Sequence, residues 1–246
     1  MSDQKTEQTL VLIKPDALKN SLTGYVLSLL SEFHTGLRFS AAKIVHVSGM
    51  LAAEHYAEHK GKIFYDSLLD YIMGRLHYTN APEKRRVIAL IYMGPNAVKQ
   101  IREICGPTNP HSAREERPGC IRSLGTIVPL KDASGKVVGD RMDNLIHASA
   151  NLADAEREIK LWFTPNDMPP SMRMYETENV GDTHYYIKDG KLTTRYEKGS
   201  FCILSPGDIA WKSDLDTLRN IEQGKAAACT LDCVAAKYLI NINQEK

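Results

Sequence analysis

Lys14, Arg102, Thr108, Arg122 and His147 of this 246-residue chain are side chains of the types that hold and transfer a phosphoryl group. Phosphoryl transfer asks for positioning and charge neutralisation more than for covalent work by the protein. Arginine forks and a lysine point charge neutralise phosphate oxygens better than other side chains do. A histidine adds a nucleophile, because an ordinary imidazole pKa of about 6.5 leaves a free lone pair at pH 7 without a dedicated base. Residue type alone leaves a second account open. One histidine on an apolar strand is more often a satisfied buried polar group, and loop arginines are more often solvated.

These residues fall at the ends of elements that the hydrophobic pattern defines and in a long loop, with His147 in the strand beyond. Thr9 to Ile13 predicts a strand that stops at Lys14-Pro15-Asp16, where proline withdraws a ladder donor. Val26, Leu29, Leu30 and Phe33 predict one amphipathic helix closed by Gly36. A strand over Phe39 to Val47, helices over Leu51 to His59 and Phe64 to Ile72, a loop over Met73 to Lys84 and a strand over Val87 to Met93 follow. Asn96 is the expected cap of a helix running to Cys105. From Gly106 onward a long polar stretch rich in proline and glycine is expected as loop until the strand at Asn144 to Ser149. Asn151 then caps a helix with Ala155, Ile159 and Trp162 inward.

Pro165, Pro169 and Pro170 cannot continue that helix and predict a boundary, giving a catalytic-type domain at 1–165 and an extension at 166–246. Within the extension, Asp189-Gly190 signals a hairpin and FCIL a further strand. Two helices end it, one with Leu215, Leu218 and Ile221 and one with Leu231, Val234, Tyr238 and Leu239, capped by Thr230. So small a unit has only a marginal core of its own, so docking on the first domain or a neighbouring subunit is expected, with oligomer bracing favoured.

Composition bounds the alternatives. Apolar content of 43% with 31 basic and 30 acidic residues describes an ordinary globular chain, not a disordered, collagenous or coiled-coil one. The apolar run Val87 to Met93 is far too short for a membrane span, and the N-terminal residues carry no leader pattern, so a cytoplasmic setting is expected. Five scattered cysteines without a CxxC pair indicate neither a disulfide framework nor a zinc site. The REER and RR clusters are interrupted by acids and lack interleaved aromatics, so nucleic acid is an improbable partner.

The joint order of IKPDAL, GPTNP, PGCIRS and NLIHASANLADAEREIKLWF resembles the nucleoside diphosphate kinase family over roughly Thr9 to Pro165. The resemblance implies an α+β fold of the ferredoxin-like βαββαβ kind, with an antiparallel four-stranded sheet and helices on its faces, here followed by a small α/β extension. It implies transfer of a γ-phosphate from ATP or another nucleoside triphosphate to a nucleoside diphosphate through phosphohistidine at His147, oriented by Glu158 with Ser149 beside it. Lys14 and Asn144 match groups on the sugar hydroxyls; Arg102, Thr108 and Arg122 match groups gripping the phosphates. Tyr56 matches a tyrosine near the histidine, and Phe64 with Leu68 matches the aromatic platform for the base. Mg²⁺ held mainly by substrate phosphates and a homo-oligomer are implied as well, with no protein metal ligand.

Three stretches are longer than the family pattern: Gly74 to Arg86, the HSAREERP segment, and Thr126 to Asp143. The family's H-G-S-D appears here as His147-Ala148-Ser149-Ala150, a change expected to tune transfer rather than abolish it. The competing expectation is a catalytically weak nucleotide-binding or regulatory module on the same fold.

Overall fold

A computed structural model describes residues 5–239. Apolar and β-branched residues build β1 (Thr6–Ile13), whose last six residues are buried. Pro15 opens the short helix α1 (Pro15–Lys19), where a missing N–H costs nothing. The single helix expected around Val26 forms instead as α2 (Thr23–Leu29) and α3 (Glu32–Thr35). Ser31 interrupts it by capping α3, its side chain accepting from His34 N. That restart changes the helical phase, so Val26 and Leu30 are buried while Phe33, expected inward, is 94% exposed. β2 (Arg38–Val45), α4 (Gly49–His55), α5 (Tyr65–Ile72), β3 (Val87–Pro95) and α6 (Ala97–Cys105) follow. Asn96 precedes α6 with φ 52° but its side chain does not cap; Glu7 Oε2 accepts from Val98 N (3.3 Å) in its place.

The stretch beyond Gly106, expected as loop, carries regular structure: α7 (Pro110–Glu116) and an antiparallel hairpin of β4 (Thr126–Lys131) and β5 (Val137–Asp143). Its turn is held by Asp132 Oδ1, which accepts from Ser134 N (2.8 Å) and Lys136 N (3.1 Å). β6 (Ile146–Ala148) and α8 (Leu152–Trp162) complete this part, with the Asn151 side chain accepting from Asp154 N (2.9 Å). The sheet order is β2-β3-β1-β6 and every neighbouring pair is antiparallel, the ferredoxin-like arrangement. Strand alternation divides the core: Leu10 and Leu12 face Ile159 and Trp162, while Val11 and Ile13 face Ile101 and Ile121.

The remaining chain forms β7 (Thr177–Asn179), β8 (Tyr185–Lys188), β9 (Lys191–Thr193), β10 (Phe201–Leu204), β11 (Ile209–Trp211), α9 (Lys212–Glu222) and α10 (Leu231–Tyr238). Asp189 and Gly190 both take positive φ between β8 and β9, as a tight hairpin with right-handed twist requires. The ladder of β7 and β11, three residues each, was too short to leave a pattern in the sequence. Val180, Leu204, Leu215, Leu218 and Val234 form a small core here. The segment packs on its own chain, α10 lying against α4 and α8. Trp211 is wholly buried in the sheet's core, and its Nε1 donates to Phe163 O (2.8 Å). Lys237 and Asp214 form a buried ion pair at 2.5 Å that ties α10 to α9. Trp211→Ala would empty a large site and orphan the Phe163 carbonyl, so a loss of about 4 kcal/mol in urea unfolding is expected.

Candidate active site

His147 lies on β6 opposite Leu12 of β1. Its neighbours Ile146 and Ala148 point into one core, so alternation turns the imidazole to the other face, where α4 and α8 converge. The approach to β6 is strained: Leu145, buried and not glycine, holds φ 69°. Asp16 Oδ2 accepts from Leu145 N (2.9 Å) and Leu145 O accepts from Lys14 N (2.9 Å), so the turn after β1 clamps that conformation.

His147 Nε2 lies 2.9 Å from Glu158 Oε2, and Ser149 Oγ donates to the same oxygen (2.7 Å). Burial alone would push the Glu158 carboxyl up, but the His147 imidazole and these hydrogen bonds bring it down to about 2. An ionised carboxylate only accepts, which assigns the proton to Nε2 and leaves the Nδ1 lone pair free. Ser149 is fully buried, its Oγ also accepting from Leu10 N (3.1 Å), so it positions Glu158 from behind and does not line the cleft. The depressed value stabilises the native state fully above the ordinary carboxyl pKa of 4.5, and this is lost as pH falls toward 2. Glu158→Gln is therefore expected to flatten the acid limb of the stability profile by about 3 kcal/mol.

The cleft beside His147 has a volume of about 330 Å³. Lys14, Tyr56, Phe64, Leu68, Arg102, Thr108, Arg122, Asn144 and Glu158 all line it. Lys14 Nζ donates to Asn144 Oδ1 (2.7 Å) and sits 5.0 Å from the Tyr71 ring centre. Burial brings the Lys14 ammonium down to about 8, against the pull of Asp16. Asn144 is held on two further sides, donating from Nδ2 to Thr108 O (2.8 Å) and from N to Tyr71 Oη (3.2 Å). Arg122 is buried and donates to Gly106 O (2.9 Å) and Ile146 O (3.2 Å). Gly106 has φ 82°, and a Cβ there would collide with Cys120 Sγ, so glycine alone allows this carbonyl to meet the guanidinium. Arg102 and Thr108 are exposed at the mouth.

One residue that sequence reasoning passed over is central. His55 is buried at the end of α4, its ring centre 4.6 Å from that of His147, and Trp162 Nε1 donates to its Nδ1 (3.1 Å). Burial, with His147 next to it, drives the His55 pKa far below its ordinary value, so the ring is neutral and its proton is on Nε2. Three buried donors lining the cleft have no partner among the described residues: His55 Nε2, Tyr56 Oη and Arg122 Nε. The EHY motif was the available signal, since it places a second imidazole beside Tyr56. Ala150 also lines the cleft.

Of the stretches read as longer than the family pattern, Gly74 to Arg86 touches Thr126 to Asp143 through His77, and the latter borders the cleft. Asp140, Arg141 and Met142 of β5 contribute to its lining. Arg141 Nε donates to Asp143 Oδ1 (2.6 Å), and His77 from the Gly74 to Arg86 stretch approaches Asp143 Oδ2 at 2.9 Å. Burial opposes ionisation of Asp143, but His77 and Arg141 hold its carboxyl below the usual range.

The profile of the family described as Nucleoside diphosphate kinase matches residues 7–168. A nucleoside diphosphate kinase of Thermococcus kodakarensis is 36% identical over 168 residues, covering 68% of this chain and 83% of that protein. One from Mycobacterium leprae is 39% identical over 158 residues, covering 64% of this chain and 97% of the relative. Among solved structures, the Borrelia burgdorferi nucleoside diphosphate kinase, a transition state mimic with bound vanadate and ADP, has a TM-score of 0.52 at 30% identity. It covers 69% of this chain and 94% of its own. With the profile spanning well over half of its length, the chain belongs to the nucleoside diphosphate kinase family.

Proposed function

We propose that the chain moves the γ-phosphate of a nucleoside triphosphate to a nucleoside diphosphate in two half-reactions, with Nδ1 of His147 carrying the phosphoryl group between them. One arrangement supports this most: an imidazole fixed through Nε2 by an ionised carboxylate, beside buried donors that have no partner among the described residues. In the first half-reaction the Nδ1 lone pair attacks the γ-phosphorus, the bond to the bridging oxygen breaks, and the diphosphate leaves with that electron pair. In the second, a terminal oxygen of another diphosphate attacks the phosphorus and the imidazole leaves. Nε2 keeps its proton throughout, so neither step needs a base.

His55 Nε2, Tyr56 Oη and Arg122 Nε are placed to donate to phosphoryl oxygens as charge develops, and being fixed beforehand they need no reorganisation. Arg102 and Thr108 extend the grip along the chain of phosphates, while Lys14 and Asn144 face the sugar hydroxyls. Phe64 with Leu68 offers a stacking face that any base satisfies. The cluster of metal-capable atoms His55, His147 and Glu158 is rich in imidazole, which Mg²⁺ disfavours. The cationic lining would not hold a bare Mg²⁺, so the ion would be carried by the nucleotide's phosphates and water and would supply charge neutralisation there. A homo-oligomer, as the family resemblance implies, belongs to this reading and is checked by mass in solution.

The test is incubation with Mg²⁺ and γ-labelled ATP in the absence of acceptor. Acid-labile label that is discharged by added diphosphate and missing in His147→Ala is the expected result. Bound nucleotide without label would identify a binding module instead.

A further inference from the structure

Arg141 stands on β5 two residues before Asp143, so strand alternation puts both side chains on one face. Its Nε donates to Asp143 Oδ1 (2.6 Å) and its Nη2 donates to Oδ2 (3.1 Å), which fixes the plane of the guanidinium at two points. His77 Nε2 closes on Oδ2 from another side at 2.9 Å, and the His77 ring rests against the wholly buried Tyr71, their centres 5.3 Å apart. The Arg141 and Asp143 side chains are themselves largely buried, so the fork is held before any ligand arrives. Asp143 uses only the Nε–H and one hydrogen of Nη2. The other end of the guanidinium, Nη1 beside Nη2, keeps two parallel donors that have no partner among the described residues.

This fork lines the same cleft as Phe64 and Leu68. β5 comes close to that platform, since a Cβ at Gly139 would lie 3.6 Å from Ile63 Cγ2, one residue before Phe64. Two parallel donors match a ligand edge that carries two acceptors side by side. Guanine offers such an edge in O6 and N7, and hypoxanthine keeps both atoms. Adenine and cytosine each turn an amino group outward there, donor against donor. We propose that Arg141 is a specificity-determining residue that reads the O6/N7 edge of a base stacked at Phe64, with Asp143 and His77 positioning its fork. The cleft then accepts every base on its stacking face but favours guanosine and inosine diphosphates. This rests on the phosphotransfer reading above and refines its base tolerance. Asp140 also lines the cleft, and its carboxylate would favour the opposite edge of guanine, the N1–H and the 2-amino group, which hypoxanthine only half retains.

Labelled phosphoenzyme is mixed with GDP, IDP, 7-deaza-GDP or CDP, and the second-order rate of discharge is read. GDP and IDP are expected to run about tenfold faster than 7-deaza-GDP, which lacks the N7 acceptor, and than CDP; in Arg141→Gln all four should fall within about twofold of one another. Equal rates for GDP and 7-deaza-GDP in the parent would overturn the proposal. So would an IDP rate as low as that of CDP, which would hand the preference to Asp140, or an Arg141→Gln loss that is uniform across the four, which is what a merely structural role would give. The same ratios are read in equilibrium competition binding, which needs no transfer. A chain that forms no phosphoenzyme therefore rejects the phosphotransfer reading, while flat ratios in binding reject this one.

Discussion

His147→Ala is expected to lower steady-state phosphoryl transfer by about 10⁴-fold or more, with nucleotide affinity changed by less than about threefold. No neighbour can take over as nucleophile. The Ser149 hydroxyl is shut in the core and committed to Glu158 and to Leu10 N. Burial raises the Tyr56 phenol far from ionisation. His55 has its Nδ1 lone pair occupied by the Trp162 indole and a proton on the other nitrogen. Binding is expected to survive because Arg102, Thr108 and Arg122, the proposed phosphate grip, line the cleft from other parts of the chain. A coupled assay with nucleotide titration checks both halves; residual turnover within tenfold of the parent would remove His147 from its assigned place.

Arg122→Ala is expected to cost about 10²- to 10³-fold in kcat/KM. Two of its N–H groups are used on Gly106 O and Ile146 O, so the plane of the guanidinium is set before any ligand arrives, with Nε still unpaired. Burial disfavours its charge, which makes that charge more effective on a phosphate sharing the same dry surroundings. Arg122→Lys should recover little, since an ammonium cannot span both carbonyls and also present a third donor. Urea midpoints separate the catalytic loss from any loosening of the Gly106 turn. A variant that keeps its midpoint and also its kcat/KM would deny Arg122 a part in transfer.

The strands of the sheet were legible because their apolar and β-branched residues lie between breakers such as Pro15, Gly36, Gly94 and Asn144, and the one at Val87 is buried almost throughout. The cleft's cations and His147 were legible by type and by motif. His55 was not, because its neutrality comes from burial that only the fold creates, and the indole that sets its tautomer is 107 positions away. Ser149 was assigned beside the histidine, but only the pairing of β6 with β1 shows that its hydroxyl faces backward onto Leu10 N. The β4–β5 hairpin was hidden because much of it is exposed, which removes the alternation that marks a half-buried strand. The break between α2 and α3 was hidden because Ser31 reads as an ordinary polar position until its cap is seen.

That hairpin departs and returns through one rung, Thr126 opposite Asp143, with Gly125 so close to Asp143 O that a Cβ would come within 2.6 Å. Entrance and exit coincide, so the added chain is a detour: its length makes no demand on where Asn144 and His147 stand. Growth or trimming at the tip can reshape the rim of the cleft, while the frame around His147, anchored through Asp16, Lys14 and Leu145, stays in register. The fold thus separates what the cleft admits from what the histidine does, and the two can vary independently.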